Sequence, residues 1–222
     1  MKGDNDSSSF SDVAEKSASY YDRNAQSYSE SNQNPADFID EFLEYLQNGN
    51  GKVVLDLGSG PGVNAGYMHS RNLQVIGIDL SEKMVEYAKS RYPNIEFRLG
   101  DMTKLPFPAS SFDGILASYS LIHLTKDAVA SVLARLYEIL RPGGIIYLSV
   151  QSGNSTQGFF SHPLIPDDQV FLNIFAKEEI FGLLSKNGFE IVSQHEKLPQ
   201  GKVFNFTKLF IIARKPEPLQ RT

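Results

Sequence analysis

The ten residues from Val53 to Gly62 constrain the fold of this chain more than any other segment. They read VVLDLGSGPG, an apolar run that contains Asp56 and continues into a turn with three glycines in five residues. An apolar, β-branched run is typical of a buried parallel strand. Glycine permits positive φ angles and leaves no Cβ between a turn and a ligand. A strand, a glycine-rich turn and a helix form the nucleotide-binding corner of a doubly wound α/β sheet.

Strands and helices alternate along most of the remaining chain. The predicted strands are 53–57, 74–78, 95–99, 112–117, 145–150, 189–194 and 207–213. Two helices are predicted ahead of the first strand, one from 14 and one from 35 to about 48, and four after it: 64–69, 82–91 after an N-cap at Ser81, 127–140 and 177–186. No helix separates the last two strands, so we expect them to pair antiparallel. The alternation predicts a mostly parallel sheet that is covered by helices on both faces.

The two ends and one internal segment depart from this alternation. Residues 1–13 are polar and are predicted to be disordered, the main domain spans 14–215, and 216–222 form a loose tail. Residues 151–176 mix glycine, serine and proline with aromatic side chains. A segment of this length between core elements is usually functional or disordered. Its aromatic content favours an ordered cap.

Composition excludes several classes of protein and site. The net charge is −5, and the longest basic run is Arg214-Lys215, which disfavours a nucleic-acid partner. The absence of cysteine excludes disulfides and cysteine-ligated zinc, and the four histidines are scattered, so no metal site is predicted. The sequence shows neither an apolar leader nor an apolar run of about 18 residues, so we expect a cytoplasmic protein without a membrane partner, as a monomer or homodimer.

Two more acids follow predicted strands and point to a nucleoside. Asp79 ends the second strand, where a carboxylate can accept both ribose hydroxyls, although a favourable charge at a helix N-terminus is the alternative. Asp101 follows the third strand, where it can accept from an adenine amino group while Met102 packs on the base, or it is simply a turn residue. Because parallel strands end at one edge of a sheet, these acids are expected to share a pocket.

The glycine turn itself allows three interpretations. Residues 60–65 fit the pattern G-x-G-x-x-A of dinucleotide-binding folds, which would indicate an NAD(P)-dependent oxidoreductase. However, the carboxylate of Asp56 would repel a pyrophosphate and would suit a ligand with an ammonium group. The third possibility is a turn that only packs a helix on a strand.

Five segments in this order resemble the class I S-adenosylmethionine-dependent methyltransferases. They are 54–62, Asp79, 100–102, 112–113 and 140–144. The likeness is closer to the small-molecule branch that includes the ubiquinone/menaquinone biosynthesis methyltransferases. The resemblance implies a Rossmann-like, doubly wound, seven-stranded and mostly parallel sheet with an antiparallel last strand and a small cap. It also implies methyl transfer from S-adenosylmethionine to a small-molecule acceptor, with S-adenosylhomocysteine as the product.

The resemblance assigns roles to individual residues. The implied cofactor-binding residues are Tyr20, Tyr28, Asp56, Gly58, Ser59, Gly60, Gly62, Asp79, Leu80, Met84, Asp101, Met102, Ser118 and Tyr119. Asp56 and the glycine turn would border the methionine part, and Ser118 and Tyr119 would lie near the sulfonium. The two tyrosines ahead of the core would close over the cofactor, or their helix would merely pack on the sheet.

One histidine is a candidate catalytic residue. His123 lies a few residues past the fourth strand, where the resemblance places the methyl group and the acceptor. It would be a general base for the acceptor, or a packing residue that hydrogen-bonds the backbone. A protein that binds S-adenosylmethionine without catalysing transfer would carry most of the same residues, so this third function stays open.

Overall fold

The computed structural model describes residues 10–162, 165–199 and 206–218 and contains one large sheet. Its strands are β1 (Val53–Leu57), β2 (Gln74–Asp79), β3 (Glu96–Leu99), β4 (Phe112–Ser118), β5 (Leu140–Ser152), β8 (Glu190–Lys197) and β9 (Thr207–Arg214). Their order is β3-β2-β1-β4-β5-β9-β8, with β9 antiparallel to both of its neighbours and the other pairs parallel. The predicted fold class is confirmed.

Six helices surround the sheet in the described part of the chain. They are α1 (Phe10–Ser31), α2 (Ile39–Asn48), α3 (Val63–His69), α4 (Glu82–Arg91), α5 (Lys126–Ile139) and α6 (Lys177–Lys186). Ser81 caps α4 as predicted, since its Oγ accepts a hydrogen bond from the backbone N–H of Met84 at 3.1 Å. Such a cap satisfies one of the free N–H groups at a helix start.

Both faces of the sheet carry a hydrophobic core. On one face the buried side chains include Phe42 of α2, Met68 of α3 and Ala88 of α4. On the other face they include Leu133 of α5 and Leu184 of α6. With both faces covered, β1 and β4 are almost entirely buried. A ligand can therefore reach these strands only at the edge where they end.

The cap at 151–176 contains a hairpin that the sequence pattern did not predict. The hairpin pairs β6 (Thr156–His162) antiparallel with β7 (Ile165–Ile174), apart from the large sheet. Aromatic cross-strand pairing stabilises it, because Phe159 and Phe171 face each other with ring centroids 5.5 Å apart.

Two elements begin well before their predicted starts. Helix α1 already includes residues 10–13, which we predicted to be disordered, because Val13 is fully buried in the core. Strand β5 begins before 145 because Leu140 pairs with Phe112 and Gly143 bends the chain at a φ of 75°. Residues 216–218 of the predicted tail have no regular secondary structure, and 1–9 and 219–222 lie outside the described residues.

Candidate cofactor site

The glycine turn after β1 presents bare backbone at the carboxyl edge of the sheet. Gly58, Gly60 and Gly62 have φ angles of 71°, 51° and 81°, which other residues rarely adopt. A Cβ on Gly58 would lie 2.5 Å from the Cβ of Ser120, so no side chain fits there. A Cβ on Gly60 would have only the Tyr28 ring within 4 Å, at 3.9 Å. At Gly60 a ligand can therefore approach the backbone.

Asp79 is held in a fixed orientation by this turn. Its Oδ2 accepts from the N–H of Gly60 at 2.7 Å, and its Oδ1 accepts from the N–H of Ser81 at 2.9 Å. Burial raises the pKa of the carboxyl, and these N–H groups oppose that shift. Each carboxylate oxygen has a second lone pair that these two bonds leave free. The group can therefore accept hydrogen bonds from two ligand hydroxyls.

Asp56 is a buried carboxylate near this turn. The residue is 1% exposed, and its side-chain oxygens make no hydrogen bond of standard geometry within the described part of the chain. Burial, and secondarily the negative charge of Asp79, raise the pKa of Asp56 to about 7, although the backbone N–H of Ala65 opposes the shift. A buried anion without compensation is costly, so a nearby cationic ligand group would be stabilised.

Asp101 serves the chain itself as well as the cavity. Its Oδ1 accepts from the backbone N–H of Thr103 at 2.8 Å and from the Thr103 hydroxyl at 2.7 Å. These bonds cap the short 3₁₀ helix Met102–Lys104. Asp101 and Met102 nevertheless line the cavity. The turn role and the ligand role that the sequence left open are therefore compatible.

Helix α1 covers the cavity with one face. The lining residues of this helix are Ala14, Ser17, Ala18, Tyr21 and Tyr28. Tyr20, which was predicted at the cofactor, is instead 3% exposed and packs in the core. Spacing explains the difference, because Tyr21 and Tyr28 are seven residues apart and lie on one helix face, whereas Tyr20 is rotated away. Helical periodicity was thus the signal that could have identified Tyr21.

Polar contacts anchor α1 at two places. Asp22 Oδ1 accepts from the Ser81 hydroxyl at 2.6 Å and from the Lys83 N–H at 3.1 Å, at the start of α4. Arg23 pairs with Asp168 of β7 through Nη2 at 2.8 Å and Nε at 3.3 Å. Helix α1 and the hairpin β6–β7, which we call the lid, are therefore joined to each other and to the sheet domain.

The chain is strained where β4 ends. Tyr119 has a φ of 51°, a conformation that costs energy for a residue with a side chain. Its N–H donates to the carbonyl of Ser149 at 3.0 Å, which holds this geometry. Its buried hydroxyl has no hydrogen-bond partner among the described residues, and burial raises its pKa. Strain and an unpartnered polar group beside a cavity are typical of a ligand site.

His123 makes two hydrogen bonds. Its Nε2 lies 2.7 Å from the Tyr21 hydroxyl oxygen, and its Nδ1 lies 2.9 Å from the carbonyl oxygen of Phe171. Burial lowers its pKa to about 4. An imidazole with this pKa is neutral near pH 7 but is a weak base. The geometry therefore favours the packing interpretation of His123 over the general base.

One cavity of about 90 Å³ collects most of the predicted site residues. Those that line it are Tyr28, Gly58, Gly60, Asp79, Leu80, Met84, Asp101, Met102, Ser118, Tyr119 and His123. Tyr20, Asp56, Ser59 and Gly62 are not among its lining residues. Besides the face of α1, the sequence interpretation missed Ser81, Ser120 and Leu124, each of which directly follows or adjoins a predicted residue.

The described ranges hold neither a metal-binding cluster nor a membrane-spanning helix. These residues contain no cluster of three or more histidine or acidic side chains placed to hold a metal ion. Within the same ranges, no helix has the length and apolar character that crossing a membrane requires.

Solved structures share the fold. The 1,6-didemethyltoxoflavin-N1-methyltransferase of Burkholderia thailandensis, solved with S-adenosylhomocysteine and 1,6-didemethyltoxoflavin, has a TM-score of 0.75 at 22% identity over 96% of this chain and 93% of its own. An S-adenosylmethionine-dependent methyltransferase of Methanosarcina mazei has a TM-score of 0.72 at 19% identity over 83% of this chain and 100% of its own. These likenesses concern the fold.

Sequence comparison identifies the family. Residues 54–144 match the family described as methyltransferase domain. A probable S-adenosylmethionine-dependent methyltransferase of Mycolicibacterium smegmatis is 30% identical over 64% of this chain. The match covers 53% of that relative, so this chain spans about half of its length. An uncharacterized methyltransferase of Synechocystis is 30% identical over 69% of this chain and 74% of its own length. The chain therefore belongs to the class I S-adenosylmethionine-dependent methyltransferases.

Proposed function

We propose that this protein transfers a methyl group from S-adenosylmethionine to a small, partly apolar molecule held beneath the lid. One observation carries the proposal: a single cavity is lined by the glycine turn and Asp79 on one side and by Tyr21, His123 and Leu124 on another. At about 90 Å³ it is smaller than the roughly 300–1,000 Å³ of most ligand pockets. We infer that the lid shifts outward when ligands enter.

The residues at the sheet edge fit the cofactor. Asp79 has free lone pairs for the two ribose hydroxyls, and the bare backbone at Gly60 leaves room beside them. The buried carboxylate of Asp56, which makes no hydrogen bond of standard geometry among the described residues, suits the ammonium group of the methionine part. Asp101 and Met102 line the cavity where an adenine amino group and ring would be held.

The nature of the acceptor is supported by relatives and by charge. A demethylmenaquinone methyltransferase of Paenarthrobacter aurescens is 32% identical over 52% of this chain. The name of that protein, like that of the Burkholderia enzyme, refers to a small molecule. The net charge of −5 opposes binding to a nucleic-acid backbone. A small acceptor therefore agrees with both observations. The oligomeric state, monomer or homodimer, stays a prediction.

The protein's own contribution is orientation and exclusion of water. The bound cofactor supplies a methyl group on a cationic sulfur, which is already reactive. Alignment of an acceptor with that group can lower the activation barrier by about 7–11 kcal/mol. Ala14, Ala18 and Leu124 provide apolar walls, and the lid separates the reacting groups from solvent.

Binding and turnover test the proposal separately. Calorimetry should show binding of S-adenosylmethionine and S-adenosylhomocysteine, with NAD as the negative control. Methyl-tritiated cofactor should then label members of a panel of quinols, phenols and amines, whereas duplex DNA and transfer RNA stay unlabelled. Binding of NAD, or labelling of nucleic acid alone, would contradict the proposal. Tight cofactor binding without labelling of cellular small-molecule extracts would indicate a protein that binds the cofactor without catalysis.

A further inference from the structure

The hydrogen bonds around His123 determine where two protons lie. A carbonyl oxygen only accepts, so the Nδ1 that lies 2.9 Å from the Phe171 oxygen must carry a proton. A neutral imidazole has one such proton, so Nε2 is the acceptor. The Tyr21 hydroxyl, 2.7 Å from Nε2, therefore donates to it. The chain of bonds runs from Tyr21 to His123 to the backbone of β7.

This arrangement persists across the ordinary pH range. Burial lowers the pKa of His123 to about 4, and burial raises the pKa of Tyr21 well above its ordinary value. Neither group changes its protonation between about pH 5 and pH 9. The direction of the hydrogen bond between them is therefore constant.

The hydroxyl of Tyr21 consequently has one remaining role. Its single proton is committed to His123, so its oxygen can only accept another hydrogen bond. Tyr21 and His123 both line the cavity, and both are partly exposed, whereas Tyr20 is buried. The free lone pairs of Tyr21 are therefore complementary to a ligand that donates a hydrogen bond.

The ring of Tyr21 is held in place by three neighbouring rings. Edge-on contacts place the rings of Tyr20, Tyr28 and His123 at 5.2, 5.3 and 5.2 Å from it. The neighbouring Asp22 and Arg23 anchor the same turn of α1 to α4 and β7. Because the Tyr21 hydroxyl oxygen is fixed in this way, it can determine where a hydrogen-bond donor of the ligand lies.

We propose that Tyr21 orients the methyl acceptor by accepting a hydrogen bond from its nucleophilic O–H or N–H group, and that His123 is the positioning residue that fixes the tyrosine proton. The proposal rests on the proposed function and narrows its substrate class to small compounds that carry such a donor at the methylated atom. It assigns no proton transfer to His123.

A matched pair of probes tests this assignment. 4-Fluorophenol donates a hydrogen bond, whereas 4-fluoroanisole has the same ring without the donor, and ¹⁹F NMR detects weak binding of either. The complex with S-adenosylhomocysteine should prefer the phenol by roughly tenfold, as expected for one hydrogen bond. Tyr21→Phe should reduce the preference to less than twofold. His123→Gln, whose side-chain oxygen can still accept from Tyr21, should retain most of it.

Each other outcome counts against a particular claim. A wild-type protein that binds S-adenosylhomocysteine but prefers neither probe, or binds neither, overturns the assignment of Tyr21 and leaves the proposed function intact. So does a preference that survives Tyr21→Phe. A Tyr21→Phe protein whose S-adenosylhomocysteine affinity falls as much as its phenol affinity would place Tyr21 at the cofactor instead. Failure of the wild type to bind S-adenosylhomocysteine would overturn the proposed function itself.

Discussion

The two sides of the cavity are built in different ways. On the sheet side, Gly58 and Ser59 both donate to the carbonyl of Ile78, and Asp79 accepts from Gly60, so the contacts join segments close in sequence. On the lid side, the Tyr21–His123 bond spans 102 residues and the Arg23–Asp168 pair spans 145. The sheet side depends on backbone geometry that short motifs specify, whereas the lid side depends on individual side chains that meet only in the folded chain.

This difference suggests that the two sides of the cavity bind different ligands. The sheet side carries the groups that suit the cofactor, which is common to the whole family. The lid side carries Tyr21, His123 and the apolar face of α1, which we assign to the acceptor. Variants on the sheet side should therefore change cofactor affinity, and variants on the lid side should change acceptor choice and the opening of the cavity.

The largest expected effect is at Asp56. Its pKa of about 7 exceeds the ordinary 3.8, so the folded state binds a proton more tightly than the unfolded state. The stability that this proton contributes is complete below about pH 4 and is lost as pH rises through about 7, a difference of up to about 4 kcal/mol. Asp56→Asn should therefore raise the unfolding free energy more at pH 8 than at pH 5, while it weakens cofactor binding.

Urea denaturation at the two pH values measures this effect. Glu86→Gln is a suitable control, because that carboxylate lies on the exposed side of α4 and pairs with Lys83. An Asp56→Asn protein that is less stable than wild type at pH 8, or equally stabilised at both pH values, would contradict the account of a costly buried anion.

His123 should produce the opposite pH dependence. Its pKa is lowered from 6.5 to about 4, so the unfolded state binds a proton that the folded state does not. Stability is complete above about 6.5 and falls as pH decreases toward 4, by about 3 kcal/mol in total. His123→Gln should remove this loss, as followed by thermal melts between pH 4 and pH 8.

The same variant tests catalysis by His123. A general base would give losses of roughly 10²–10⁴ in turnover. We expect a loss below about tenfold with cofactor affinity unchanged and, in the wild type at saturating cofactor, no ionisation near pH 6–7 in kcat/KM for the acceptor. A larger loss together with such an ionisation would restore His123 as a base.

Asp79 tests the sheet side directly. Removal of a charged acceptor from a buried hydrogen-bond site typically costs about 1.5–3 kcal/mol. Asp79→Ala should accordingly weaken S-adenosylhomocysteine binding by roughly ten- to a hundredfold, measured by calorimetry with Glu86→Gln as control. An unchanged affinity would show that ribose hydroxyls are held elsewhere.

The sequence predicted the sheet side better than the lid side. Strand 53–57 and helix 177–186 have the predicted bounds, and the predicted antiparallel last strand is observed as β9. Local patterns determine these features, because apolar periodicity, caps and glycine turns act over a few residues. Asp79 and Gly60 lie where such patterns placed them.

The differences between the sequence interpretation and the structure lie where distant segments meet. The motif match named Tyr20 and Tyr28, whereas Tyr21 and Tyr28 line the cavity, because a motif match does not specify which face of α1 turns inward. The hairpin of the cap was missed because its register depends on aromatic pairs, such as Phe159 with Phe171, that no local pattern specifies. The contact of His123 with the Phe171 carbonyl required both the hairpin and its position relative to β4.

The smallest effect on stability is expected at the Arg23–Asp168 pair. Its loss should nevertheless distinguish the behaviour of the lid from that of the sheet. Its side chains are 55% and 21% exposed, and such partly exposed pairs contribute roughly 0–1 kcal/mol. Asp168→Ala should therefore change global stability by less than about 1 kcal/mol. Because the pair joins α1 to β7, its loss should still favour local opening of the lid. Amide hydrogen exchange should become several-fold faster in α1 and unchanged in β1 and β4. Glu138→Gln, which removes another exposed pair at a distance from the lid, provides the control. Equal acceleration in both variants, or acceleration in β1 as well as α1, would show that the lid does not open as a separate unit.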